Sequence, residues 1–190
     1  MSTLEKLKEH LKEGQVYRRN DFGKWSNSVD RHLQALSKNG TLQKLSRGIY
    51  YYPKSSSFGQ MPPEEDDLVR AFLKDRHFLL TSFNLYNTLG VGTTQLYNQR
   101  IVYNHKRHGK FKLGNRTFDF KIKRHFPEKL TPEFLLVDLA GNLDKLAEDQ
   151  DKILRNVLSK VKDMNKIDLR NILNLYGNVR AKRMLAIALI

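Results

Sequence analysis

The first 54 residues pass from a helical hydrophobic period to a strand pattern, and no other feature of the chain constrains its fold as strongly. Leu4, Leu7 and Leu11 recur at helical spacing, which predicts a first helix over residues 3–13 with Gly14 as its stop. Val16 and Tyr17 begin a short connection, and residues 18–24 predict a brief second helix with Phe22 turned inward. Ser26 or Ser28 can cap a third helix. Its apolar stripe is Val29, Leu33 and Leu36, and Asn39-Gly40 ends it. From Leu42 to Pro53 the pattern becomes two short strands around a turn at Ser46-Arg47-Gly48. Helix, short helix, helix and β-hairpin, in that order, predict a winged helix-turn-helix over residues 1–54.

The next residues, Lys54-Ser-Ser-Ser-Phe-Gly-Gln-Met-Pro-Pro63, are rich in turn formers, and the prolines disfavour helix before Glu64. They predict a linker over 55–63 and a second domain over 64–190. That domain opens with a helix over 64–73, a short strand at Phe78-Leu-Leu-Thr81 and a helix over 82–89 ended by Gly90. Three strands follow, at Gln99–Asn104, Gly109–Leu113 and 116–124, the last two joined by a tight turn at Gly114-Asn115. In the third, Phe118, Phe120 and Ile122 alternate with Thr117, Asp119, Lys121 and Lys123, a half-buried strand with a basic outer face. Residues 132–190 read as helices broken at Gly141-Asn142, around 163–168 and at Gly177-Asn178. The expected class is α+β: a winged helix, then a small antiparallel sheet and a helical C-terminal part.

Charge narrows the function. The net charge is +14, which attracts polyanions through counterion release. It is uneven: +6 over residues 1–60, −1 over 61–100, +7 over 101–130 and +2 over 131–190. Two basic blocks around a neutral spacer predict two polyanion-facing surfaces. The chain has no cysteine, which removes thiol and iron–sulfur chemistry and fits a reducing cytoplasm. It has no apolar run of membrane-spanning length, and its charged, amphipathic N-terminus does not read as a signal peptide.

A helix that enters the major groove needs a slim, polar, donor-rich face. If Val29, Leu33 and Leu36 face the core, then Asn27, Ser28, Arg31, His32 and Gln34 face outward. Asn27 and Gln34 can read adenine, Arg31 can read guanine or hold a phosphate, and Ser26 at the helix N-terminus suits a phosphate. Lys24 precedes the helix, and Trp25 reads as a core anchor. Lys44 and Arg47 lie at or near the hairpin tip, suited to the minor groove or its phosphates. The competing reading is a solvated basic face, or a protein-binding module of the same elements.

The motifs go further than the pattern. Gly14-Gln-Val-Tyr, Asp21-Phe22, Leu36-Ser-Lys-Asn-Gly40, Leu45-Ser-Arg-Gly-Ile-Tyr-Tyr-Tyr-Pro-Lys54 and Phe58-Gly59 before the double proline resemble the AbiEi-type antitoxin family of toxin–antitoxin and phage-defence systems. Thr81-Ser-Phe-Asn-Leu-Tyr-Asn-Thr-Leu-Gly90 with Thr93-Thr-Gln95 is similar to the opening of that family's second domain. The resemblance covers roughly Gly14 to Leu146. It implies a winged helix that represses its own operon at promoter inverted repeats. It also implies a C-terminal domain that counteracts a nucleotidyltransferase-like toxin without a stable complex. The expected state of the chain is a monomer or weak dimer. Arg47 and the polar positions of the third helix carry over. Phe83, Tyr86 and Asn87 depart from the pattern, being bulkier than the residues expected there.

Other chemistry is sparse, and neither cofactor nor metal site is expected. Leu89-Gly-Val-Gly92 lacks the Gly-Lys-Ser/Thr of a phosphate loop, and reads as a turn. His105 and His108 lie in a basic stretch without a third ligand at metal spacing. Asp119 and Lys121 on one strand match half of a magnesium-dependent nuclease motif, but companion acids are not evident. The chain is therefore read as a non-enzymatic DNA-binding antitoxin, with a plain transcriptional regulator or, less so, a nuclease as alternatives. Lys106, Arg107, Lys110, Lys112, Lys121, Lys123 and Arg124 form the expected second surface, for DNA, RNA or an acidic protein.

Overall fold

The computed structural model describes residues 3–189. Its chain divides into two units: one runs to Arg76 and includes Phe111–Arg116, and the other holds His77–Lys110 and everything from Thr117 on.

The first unit begins with α1 (Thr3–Glu9), shorter than the leucine spacing predicts. The chain beyond Glu9 continues in turns, with His10 N–H on the Leu7 carbonyl and Leu11 N–H on that of Lys8. Leu11 still reaches the core. Val16–Arg18 forms a strand, β1, where a connection is expected. Three residues are too few to display a period, but Tyr17 points inward from it. A 3-10 helix (Arg19–Lys24) carries the fully buried Phe22, and α2 (Val29–Lys38) follows. β2 (Gln43–Ser46) and β3 (Ile49–Tyr51) pair antiparallel, and β1 adds antiparallel to the other side of β3.

Residues 55–63, expected as a linker, instead hold most of a second hairpin, β4 (Lys54–Ser56) and β5 (Gly59–Met61). The serines serve its turn. Ser56 Oγ donates to the Gly59 carbonyl at 2.9 Å and accepts the Phe58 N–H at 3.2 Å. Then α3 (Glu65–Leu73) buries Leu68, Val69 and Leu73 and packs beside β1. The first unit thus extends past the expected boundary at residue 63.

In the second unit, β6 (Leu79–Thr81) leads to a 3-10 helix (Phe83–Leu89), capped by Ser82 and closed by Gly90 in the left-handed region. The strands β7 (Gln99–Asn104), β8 (Gly109–Leu113) and β9 (Arg116–Ile122) complete a sheet of order β6-β7-β9-β8. The sheet is mixed, not antiparallel as expected. β6 runs antiparallel to β7, but β9 pairs parallel with β7, from Gln99↔Thr117 to Asn104↔Ile122. Burial explains the order. Phe118, Asp119 and Phe120 are all buried, as in an interior strand covered on both faces, whereas β8 alternates like an edge. β9 stops at Ile122, which is exposed instead of facing inward.

The C-terminal helices surround α4 (Pro132–Asn142), in which every residue from Phe134 to Asn142 is buried. A helix apolar on all sides must lie inside. α5 (Gln150–Val161), α6 (Lys166–Tyr176) and α7 (Val179–Ala186) pack against it, each started by a side-chain cap, Asp149, Asn165 and Asn178 respectively. Gly141 permits the closest approach. A Cβ there would lie 2.8 Å from the Asn178 amide nitrogen, which donates to the Gly141 carbonyl. No helix among the described residues is long and apolar enough to cross a membrane.

One buried carboxylate organises this unit. Asp138 accepts Tyr86 Oη at 2.8 Å, Tyr103 Oη at 2.7 Å and Lys123 Nζ at 3.1 Å. Burial first, and then the charge of Asp138, push both phenols well above their ordinary range, so they remain donors. Asp138→Ala would leave the half-buried Lys123 ammonium and two buried phenol O–H donors without their acceptor. It is expected to cost about 3–5 kcal/mol, measured as a lowered unfolding midpoint in urea. A loss within experimental error would show that the carboxylate is not the organising group.

Candidate nucleic-acid interface

The face of α2 is set by what lies behind it. Leu33 and Leu36 are buried with Leu7, Tyr17, Phe22 and Leu42, and Val29 packs against them. Phe22 meets Tyr17, Trp25 and Tyr50 at ring separations of 5.7–6.1 Å. Trp25 is half-buried and stacks on His10 at 5.2 Å. The opposite side of α2 carries Arg31 and Gln34, both exposed, and Asn27 and Ser28 are exposed just ahead of it. Lys24 is exposed at the end of the 3-10 helix.

Two residues expected on that face are not there. His32 and Ser26 are both buried, with Ser26 Oγ 2.8 Å from His32 Nδ1. Ser26 Oγ also accepts the Ser28 N–H at 3.0 Å. The pair closes the turn into α2 and does not reach outward. The reason is helical geometry: His32 lies three residues after Val29 and four before Leu36, so it widens the apolar stripe at one edge. Ser28 occupies the N-cap position without a side-chain cap hydrogen bond, and Ser26 does not cap α2 either.

Arg19 and Asp30 are the functional pair that spacing did not reveal. The Arg19 guanidinium donates twice to the Asp30 carboxylate, each bond 2.7 Å long, and links the 3-10 helix to the first turn of α2. Eleven positions separate the two, so no helical or strand period brings them together. The pairing also neutralises the acid beside the outward face of α2. The hydrogen bond from Arg19 lowers Asp30 below its ordinary value.

Strand β2 presents Lys44 to solvent, and the β2–β3 turn presents Arg47. Gly48 takes a positive φ of 72° there, and its carbonyl accepts the Arg19 N–H at 2.9 Å. This bond ties the turn to the same residue that steadies α2.

The second basic block is not one surface. Lys106, Arg107, Lys110 and Arg124 are exposed in the second unit, while Lys112 belongs with Phe111–Arg116 to the first. Lys123 is turned inward onto Asp138 and lies 3.9 Å from the centre of the Tyr103 ring. Lys121 is half-buried and pairs with Asp119 at 3.2 Å. Asp119 and Lys121 therefore come together, but no group of three His, Cys, Asp or Glu gathers for a metal among the described residues. The bulky residues of the 3-10 helix are structural: Phe83 and Tyr86 are buried and stacked at 5.5 Å, and Asn87 is half-buried.

Asp30 offers a direct check. Its folded-state value is depressed, so the pair supports the fold above the ordinary carboxylate range and loses that support as pH falls through the lowered value. Titration followed by carboxyl NMR is expected to give a midpoint below the ordinary aspartate value. Arg19→Ala should return it to that value. A wild-type midpoint at or above it would contradict the pairing.

The fold is similar to that in the crystal structure of RV2827C protein from Mycobacterium tuberculosis, with a TM-score of 0.61 and 14% identity, covering 98% of this chain and 74% of that one. No curated protein matches the chain. Residues 3–174 match the model of DUF6088, described as a family of unknown function, and the chain belongs to that family.

Proposed function

We propose that the first unit is a winged helix that binds double-stranded DNA, with α2 as its recognition helix and the β2–β3 hairpin as its wing. The observation that carries this reading is the exposed donor face of α2: Arg31 and Gln34, with Asn27 and Ser28 ahead of them, opposite the buried Leu33 and Leu36. The uncapped start of α2 adds N–H groups directed at a phosphate. Lys44 and Arg47 on the wing supply charge for the adjoining backbone or minor groove.

The resemblance to AbiEi-type antitoxins supports the wider role. In that reading the chain represses its own operon at inverted repeats, and its second unit counteracts a nucleotidyltransferase-like toxin without forming a stable complex with it. Restored growth on co-expression with the product of the neighbouring gene supports the antitoxin half. Persistent toxicity leaves a plain regulator.

Fluorescence anisotropy on the chain's own promoter tests the DNA half. Arg31→Ala and Arg47→Ala are each expected to weaken binding by about 1–3 kcal/mol. Lys44→Ala should weaken all sequences alike and reduce the salt slope by about one. Full-strength binding by the Arg31→Ala, Arg47→Ala double variant would displace the interface from this face.

A further inference from the structure

The second unit contains a hollow of about 530 Å³, a size suited to a small-molecule ligand. Its lining holds three lysines, Lys110, Lys121 and Lys145, and a single carboxylate, Asp119. Phe83, Leu96, Tyr97 and Ile101 supply its apolar and aromatic lining, and Asn98 and Gln99 its neutral polar lining. Two of the ammonium groups are held in place. Lys121 Nζ lies 3.2 Å from Asp119, and Gln99 Nε2 donates to the same carboxylate oxygen at 3.1 Å. Lys145 Nζ donates to Asn142 Oδ1 at 2.7 Å, and Asn142 in turn is bonded to the Asp138 network.

This arrangement has an excess of positive charge. Loss of water, and then the like charge of Lys121, lower the Lys145 ammonium from its ordinary range. An anion seated among the three lysines would relieve that repulsion. A larger hollow of about 780 Å³ in the first unit has fewer cations in its lining, Lys44 and Arg116, and Arg116 is held by Glu65 at 3.1 Å.

We infer that this hollow is a nucleotide-binding site, which takes the phosphates of a nucleoside triphosphate on Lys110, Lys121 and Lys145 and its base against the half-buried ring of Tyr97, which Phe83 backs edge-on at 5.4 Å. A charged head next to a flat ring is the chemistry that matches a lining of lysines and an aromatic ring. Held lysines lose little freedom on binding, which favours a compact ligand. The site is independent of the DNA-binding face in the first unit.

Isothermal titration of the full chain with ATP tests the site, with adenosine, tripolyphosphate and a short single-stranded oligonucleotide as parallel probes. ATP should bind saturably and more weakly as salt rises, while adenosine alone should bind far more weakly. Lys145→Gln and Lys110→Ala should each reduce ATP affinity by about tenfold, the usual weight of one hydrogen bond to a charged group. Lys152→Ala, outside the hollow, should leave it unchanged. Lys110 is exposed on β8, so its variant keeps the test valid even if the Lys145 variant melts early. Three results would overturn the proposal: no saturable ATP binding at millimolar concentration, equal affinity in the Lys110 variant, or tripolyphosphate binding as tightly as ATP. A lysine-dependent preference for the oligonucleotide over ATP would instead assign these residues to a nucleic-acid strand.

Discussion

A carboxylate buried at the centre of the helical layer is the interaction on which the second unit depends. Asp138 is costly to bury as an anion, and it is tolerated because two phenols and an ammonium converge on it. Those donors come from different elements: Tyr86 from a 3-10 helix, Tyr103 from β7 and Lys123 from the end of β9. The network therefore fixes how α4 lies on the sheet, which apolar packing alone would leave free to slide. Through Asn142 it reaches Lys145, so the same hub places one wall of the lysine-lined hollow.

The first unit solves a different problem. An exposed helix face can recognise a partner only if the helix behind it does not rotate. Here Phe22 and its aromatic neighbours hold the back of α2, and the Arg19–Asp30 pair holds its first turn. Exposed ion pairs contribute little to stability. This one is bidentate and ties two short elements, so its consequence is orientation.

Legibility in the sequence followed element length and periodicity. α2 was readable because Val29, Leu33 and Leu36 repeat over ten residues, and β7, β8 and β9 because turn formers bracket them. β1 was not, since three residues carry no period. The hairpin of β4 and β5 was hidden by its serines, whose local hydrogen bonds build a turn while their composition reads as a linker. The parallel pairing of β7 with β9 could not be read from local signals, because a Gly-Asn turn predicts a hairpin but not which of its strands lies inside the sheet. Within the candidate interface, Arg31, Gln34, Lys44 and Arg47 are exposed as the spacing predicts. His32 was misplaced because a polar residue at the edge of an apolar stripe can face either way until its partner, here Ser26, is known.

The basic block shows why a count of charges does not make a surface. Lys121 and Lys123 alternate with apolar residues in the sequence, and alternation predicts one outer basic face. Yet Lys123 is drawn to Asp138, a residue fifteen positions away, and Lys121 to Asp119 two positions before it. Lys110 and Lys145, from separate stretches of the chain, then meet Lys121 around one concavity. Positive charge that looks continuous in the sequence is divided between a buried hub, a hollow and solvent. A concave arrangement focuses the field that a flat face would disperse, and concentrates it where a compact anion can lie.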